Sequence, residues 1–224
     1  KENDPTGLLA EIMGKNEGVC GGRGGSQHLQ KNNFYSNGIQ GGIVANALGM
    51  AFAEKHNKTK NIVVVFTGDG TWGEGICYES LNLSSLWSVP LLIVIENNRY
   101  AQSTPIELNL AGSFLDRAKA FNIEADEIES NDIDLLFPKF IRAVEFVREN
   151  QKPFVQIVNT YRLKAHSKGD DDRNINEINY WWTKDPLKYL ERKLSKGEMK
   201  EIDFAVKQRL KDSLKIVEKM SFAR

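Results

Sequence analysis

"VVVFTGDGTWGEG", residues 63–75, sets a run of β-branched and aromatic residues directly against two glycines and one carboxylate. From Ile62 to Thr67 nearly every position is apolar rather than every second one. That is the pattern of a strand covered on both faces, as in a parallel sheet. A second continuous run, Leu91 to Ile95, ends in Glu96-Asn97-Asn98. Between the two, Gly73 to Ser88 carries Ile76, Leu81, Leu83, Leu86 and Trp87, which fit a mostly buried helix. Strand, helix and strand in this order form a βαβ unit. Asp69 and the Asn97-Asn98 pair therefore fall at the carboxyl ends of two parallel strands, where open α/β sheets bind their ligands.

Further elements follow the same logic. Phe154 to Thr160 is a third strand, entered through Pro153, and Asn122 to Ile128 a weaker one. Asp132 to Asn150 is helical, with Leu136, Phe140, Val144 and Val147 on one stripe. Pro186 to Leu194, with Asp185 as N-cap, and Glu198 to Met220 read as two C-terminal helices. In the latter, Ile202, Val206, Leu210, Leu214 and Val217 keep near-helical spacing. "GGIVANALGMAFA" (41–53) places Gly41, Ala45, Gly49 and Ala53 on one side-chain-poor stripe. Such a stripe suits close helix packing, either within the chain or across a subunit interface. "KGDDDRN" (168–174) reads as a mobile polar loop.

Composition narrows the function. Of the 224 residues, 41% are apolar and 27% charged, so the chain can bury a real core. The 30 basic residues balance 30 acidic ones, which leaves no electrostatic footprint for nucleic acid or an anionic membrane. No apolar run reaches the roughly 18 residues of a membrane helix, and none reads as a signal peptide. The sequence begins with lysine rather than methionine. Cys20 and Cys77 form no CxxC pair, as expected of reduced thiols in a cytoplasmic protein.

Asp69 between glycines at a strand end pairs a carboxylate with backbone amides that favour an anion. A cation reconciles the two, and magnesium is the natural one because it bridges carboxylates and phosphates. A neutral amide oxygen from the neighbouring strand end, at Asn97-Asn98, suits a site already rich in negative charge. A helix-capping aspartate with two turn asparagines is the plainer alternative.

The spacing of 26 residues from GDG to NN resembles the thiamine-diphosphate-binding motif. "GDGTWGEGICYESLNLSSLWSVPLLIVIENNRYAQST" resembles more narrowly the alpha subunit of the decarboxylase (dehydrogenase) component of 2-oxo acid dehydrogenase complexes, the pyruvate, branched-chain and acetoin dehydrogenase family. "GGRGGSQHL" (21–29), "NGIQGGIVANALGMAFA" (37–53) and "YRLKAHSKGDDDR" (161–173) resemble further blocks in the family's order, so that the resemblance covers residues 7–195. It implies an α/β thiamine-diphosphate-binding fold, with a mostly parallel central sheet and helices on both faces. Residues 1–195 would form that domain and 196–224 a helical extension of it.

Carried over by motif position, Asp69 and Asn98 match magnesium side-chain ligands, and Tyr100 matches a backbone-carbonyl ligand. Gly70 and Thr71 match diphosphate-binding amides. Arg162 matches a diphosphate arginine, whose planar fork suits phosphate oxygens. Gly38 and Gln40 match positions whose backbone meets the aminopyrimidine; at Gln40 the family often has a small apolar residue. His166 matches the catalytic histidine facing substrate and cofactor. Lys164 stands where many members have a second histidine. His28 lies in a matched block, either lining the substrate channel or as an ordinary loop residue; His56, among polar neighbours, reads as solvent-exposed. Ser167 matches a serine phosphorylated in some mitochondrial members. The family's N-terminal helical region, with a tyrosine-arginine pair, precedes the first residue here. The glutamate that activates the aminopyrimidine comes from a beta subunit. The expectation is thus an α2β2 enzyme that decarboxylates a small 2-oxo acid oxidatively and passes the acyl group to a lipoyl-domain transacylase. An acetoin-cleaving or carboligating subunit and a non-catalytic scaffold are the alternatives. The small stripe at 41–53 matches an inter-subunit helix.

Overall fold

The computed structural model describes residues 4–167, 169 and 171–224. In chain order its helices are α1 (Thr6–Ile12), α2 (Gly42–His56), α3 (Gly75–Leu86), α4 (Phe114–Ala120), α5 (Ile133–Asn150), α6 (Ile175–Trp182), α7 (Pro186–Glu191) and α8 (Lys196–Glu218). Its strands are β1 (Gln30–Lys31), β2 (Phe34–Tyr35), β3 (Val63–Gly68), β4 (Leu91–Asn97), β5 (Tyr100–Ala101), β6 (Thr104–Pro105), β7 (Glu124–Glu129) and β8 (Phe154–Asn159). The chain divides into two compact units, residues 1–38 with 190–224, and residues 39–189.

The larger unit is built on a four-stranded sheet in the order β3-β4-β8-β7. Every pairing in it is parallel: Val63 opposes Leu91, Leu92 opposes Phe154, and Glu124 also opposes Phe154. On one face Val65, Ile93, Ile95, Val155 and Ile157 pack with Val44 and Ala47 of α2, Cys77 and Leu81 of α3, and Phe114 of α4. On the other face Leu92, Val94 and Val158 meet Ala143 and Val147 of α5. Continuous apolar strands and helices on both faces are what the sequence predicts. α5 starts where Asp132 Oδ1 accepts the Asp134 N–H at 2.9 Å, and it turns the expected stripe of Leu136, Phe140, Val144 and Val147 onto the sheet. β3 is an edge strand whose Val64 and Phe66 remain exposed, so its second face lacks the cover that α5 gives β4.

Some helical faces depart from expectation. In α3, Leu81 is buried, but Ile76 and Leu86, with Trp87 at its C-cap, are exposed. In the 41–53 stripe, Gly41 adopts φ 74°, and a Cβ there would lie 2.6 Å from Ile76 Cγ2. A Cβ on Gly49 would meet nothing within 4 Å, and Ala53 is exposed. Only the start of the stripe packs within the unit.

In the smaller unit α8 begins with a capping box, in which Ser195 Oγ accepts the Glu198 N–H and Glu198 accepts the Ser195 N–H. Its apolar stripe is mostly uncovered: Ile202, Val206, Leu210 and Leu214 are exposed, and only Val217 is fully buried. α8 packs on α1, where Thr6 Oγ1 donates to Ser213 Oγ at 3.0 Å. Near the end of α1 the buried Glu11 carboxylate accepts the N–H groups of Cys20, Gly22 and Gly24 at 2.7, 2.8 and 2.5 Å. Burial pushes its pKa up, but those backbone donors outweigh burial and leave it below the ordinary value.

Ile93 is fully buried on the α2–α3 face of the central pair. Ile93→Ala is expected to destabilise the fold by about 2–5 kcal/mol. Chemical denaturation would read this as a lower midpoint at unchanged slope.

Candidate functional site

The carboxyl ends of β3 and β4 lie level because Gly68 pairs with Glu96. Past Gly68 the chain tightens into a 3-10 turn, Asp69–Gly73, which buries Asp69, Thr71 and Trp72. Trp72 anchors it from below: its indole Nε1 donates to Thr67 Oγ1 at 3.1 Å, and its ring meets Phe114 edge-on at 6.4 Å. Thr71 Oγ1 donates to Gln40 Oε1. Gly70 is a glycine because β5 passes so close that a Cβ there would lie 2.6 Å from Ala101 Cβ.

Asp69 is 1% exposed. Its Oδ1 accepts the Gly70 N–H at 2.7 Å, while its Oδ2 is buried without a hydrogen-bond partner. Burial raises its pKa; the Gly70, Arg99 and Tyr100 amides and the Arg162 charge pull the other way without prevailing. A buried carboxylate oxygen with no donor is costly unless a cation meets it.

The loop after β4 supplies further oxygens beside it. Asn98 Oδ1 accepts the Tyr100 N–H at 3.2 Å. Arg99 and Gln102, at φ 71° and 58°, turn the chain into the short β5–β6 hairpin. Arg162 reaches this loop from beyond β8: Nη1 donates to the Tyr100 carbonyl at 3.4 Å, Nη2 to the Gln102 carbonyl at 2.6 Å and Nε to the Lys164 carbonyl at 3.1 Å. Below them, Asn97 Nδ2 donates to Asn159 Oδ1 at 2.7 Å and the Asn97 carbonyl accepts the Thr160 N–H at 2.9 Å, which holds the ends of β4 and β8 level.

One carboxylate, one side-chain amide and one carbonyl form an all-oxygen donor set of low charge. Such a set fits a hard divalent cation that keeps places for water or phosphate. Among the described residues no group of three His, Cys, Asp or Glu gathers to hold a metal. The orphaned Asp69 Oδ2 at the end of β3 fits such a cation, magnesium among them.

The structure thus brings together Gln40, Asp69, Gly70, Thr71, Asn98, Tyr100 and Arg162. His166 lies farther along the Arg162 segment, exposed, with its Nδ1 2.9 Å from Ser167 Oγ. Gly38 belongs to the smaller unit, where a Cβ would meet Gln27 Oε1 at 2.5 Å. The loop expected at 168–174 includes residues 168 and 170, outside the described ones. Its end is firmly held: the Arg173 side chain is 1% exposed and ion-pairs with Asp171 at 2.7 Å. Sequence reasoning missed Arg173 and Glu177. The Arg173 guanidinium lies against the Tyr161 and Tyr100 rings, and the aromatic Tyr161 just before that polar run was the signal available in the sequence.

The family described as "Dehydrogenase E1 component" matches residues 1–223. A pyruvate dehydrogenase E1 component subunit alpha of Rickettsia felis is 34% identical over 227 residues, covering 96% of this chain and 70% of that one. The alpha subunit of an acetoin:2,6-dichlorophenolindophenol oxidoreductase of Bacillus subtilis is 39% identical over 171 residues, covering 75% of this chain and 51% of that one. Among solved structures, transketolase from Campylobacter jejuni aligns with a TM-score of 0.49 and 23% identity, over 57% of this chain and 21% of that one.

Two outcomes follow from the turn. Gly70→Ala is expected to destabilise the chain by about 1–3 kcal/mol through overpacking, and Ala101→Gly in the same chain to restore most of that loss, read by denaturation. At Asp69 the raised pKa means that stability falls as pH rises from the unfolded value of about 4 toward the higher folded-state value, with the full cost present above it and none below about pH 3, where the group is protonated folded or unfolded. Asp69→Asn should therefore raise the melting temperature of the metal-free chain at neutral pH and leave it nearly unchanged in acid. Thermal melts with a chelator at both pH values check this.

Proposed function

The chain belongs to the dehydrogenase E1 component family, and from that premise we propose that it works as the alpha-type chain of a thiamine-diphosphate- and magnesium-dependent 2-oxo acid dehydrogenase. The observation that carries the reading is Asp69 Oδ2, buried and without a hydrogen-bond partner beside the Asn98–Tyr100 loop. Asp69, Asn98 and the Tyr100 carbonyl would hold magnesium. The Gly70 and Thr71 amides and Arg162 would meet the diphosphate. The backbone at Gln40 would meet the aminopyrimidine.

When bound, thiamine diphosphate supplies the nucleophilic carbon and the electron sink for loss of carbon dioxide. The chain's own residues orient and neutralise. Asp69 would offset one of the two metal charges, and the neutral oxygens of Asn98 and Tyr100 would leave the other for the diphosphate. Trp72, Thr67 and Phe114 keep the turn that carries Asp69 rigid. His166, on the exposed segment after Arg162, would hold or deliver a proton at the substrate oxygen. A beta-type chain would bring the carboxylate that activates the aminopyrimidine, in an α2β2 assembly, and a lipoyl domain would take the acyl group.

A second reading keeps the site and changes the substrate. The Bacillus subtilis relative, 39% identical, is named for acetoin, and that favours an acyloin-cleaving reaction. Turnover of a panel of 2-oxo acids and acyloins, with and without lipoamide, separates the two.

Asp69→Ala in the chain assembled with its beta-type partner is expected to abolish magnesium-dependent binding of thiamine diphosphate in titration calorimetry. Unchanged affinity would overturn the assignment.

A further inference from the structure

We propose that Glu177 is a positioning residue that fixes the magnesium and diphosphate loops from the far side of Tyr100, an inference that rests on the functional reading above. Tyr100 is assigned to the metal through its carbonyl, and its side chain points into a separate cluster. The Tyr100 hydroxyl donates to the Glu177 carboxylate, whose two oxygens lie 2.9 and 3.1 Å away.

The same cluster grips the Arg162 segment. The Arg173 guanidinium lies 5.4 Å from the Tyr100 ring and 5.0 Å from the Tyr161 ring, and its Nη1 donates to the Arg162 carbonyl at 2.6 Å. Asp171 neutralises it through two bonds of 2.7 Å. Tyr161 meets Tyr100 edge-on at 6.1 Å and stacks on Trp181 at 5.1 Å with parallel rings. Glu177 and Trp181 are four residues apart on α6 and so share a face. That face of α6 holds Tyr100 by hydrogen bond and Tyr161 by stacking, while Ile175 and Tyr180 of the same helix are exposed.

Two segments far apart in sequence, the 97–102 loop with the metal carbonyl and the 159–167 stretch with Arg162, thus share one clamp. Neither can shift without breaking the Tyr100–Glu177 bond or exposing Arg173. Glu177 touches no ligand assigned above; it acts through Tyr100.

The test uses the full chain assembled with its beta-type partner, with magnesium and thiamine diphosphate titrated by calorimetry. Glu177→Ala and Tyr100→Phe, which keep every assigned ligand, are each expected to weaken cofactor affinity about tenfold, the scale of one lost buried hydrogen bond to a charged group. The double variant should be no weaker than either single one. Glu177→Gln keeps an oxygen for the phenol to donate to and should stay within about threefold of the parent. Without cofactor, amide hydrogen exchange in Glu177→Ala should quicken at both 98–102 and 160–167 while the β4 core stays protected. Parent-like affinity and exchange in Glu177→Ala, additive losses in the double variant, or equal impairment of the Ala and Gln variants would overturn the inference. Absence of magnesium-dependent binding in the parent assembly would overturn the functional reading instead, and the exchange comparison would still decide whether Glu177 ties the two segments.

Discussion

The in-register parallel pairing of β3 with β4 is the constraint on which the carboxyl edge depends. Gly68 opposite Glu96 brings Asp69 beside the Asn98–Tyr100 loop, and Asn97 opposite Asn159 brings the Arg162 segment alongside. Side chains alternate along a strand, so a slip of one residue would turn Val65 and Ile93 out of the core and move Asp69 away from its neighbours. The buried face of β3 and both buried faces of β4 make that slip expensive. The hydrophobic core and the polar edge are therefore one specification: burial sets the register, and the register places the oxygens.

The polar edge is not built for the comfort of the empty protein. Asp69 is buried with one oxygen short of a donor, and the Asn97 side-chain oxygen is likewise buried without a partner. A fold that left such groups unmet for no reason would simply be less stable. Gln156 Oε1 and Tyr161 Oη are buried without a partner as well, but only Asp69 brings a carboxylate, and it does so at a turn that Trp72 and the close pass of Ala101 make rigid.

Much of this was legible in the chain. Continuous apolar runs reveal the strands, although β3 is an edge strand with Val64 and Phe66 exposed rather than covered on both faces, and the interval from GDG to NN marks one βαβ crossover, so β3, α3, β4 and the positions of Asp69 and Asn98 could be read directly. Helical faces were harder. The stripe on α8 has the right period, yet Ile202, Val206 and Leu210 stay exposed, because periodicity reports a face and not what covers it. Arg173 and Glu177 were hidden for the opposite reason. A buried arginine beside a run of aspartates looks like part of a solvated loop until aromatic rings from distant segments are seen to lie against it. Register, too, was unreadable: nothing local says which residue of β4 faces Gly68.

Glu11 carries a different consequence. The loop that it holds contains Gly18, Gly22 and Gly24, and none has room for a side chain: a Cβ at Gly18 would collide with Glu11 itself, at Gly22 it would lie 2.5 Å from the Lys15 carbonyl, and at Gly24 it would strike the His28 carbonyl. Three glycines cannot fix the loop's shape by packing of their own. The instruction is written one helix earlier, in a carboxylate that gathers three backbone amides. These four positions therefore form a single heritable unit: a change at Glu11 would be felt as a change in the loop, and no substitution inside the loop could repair it.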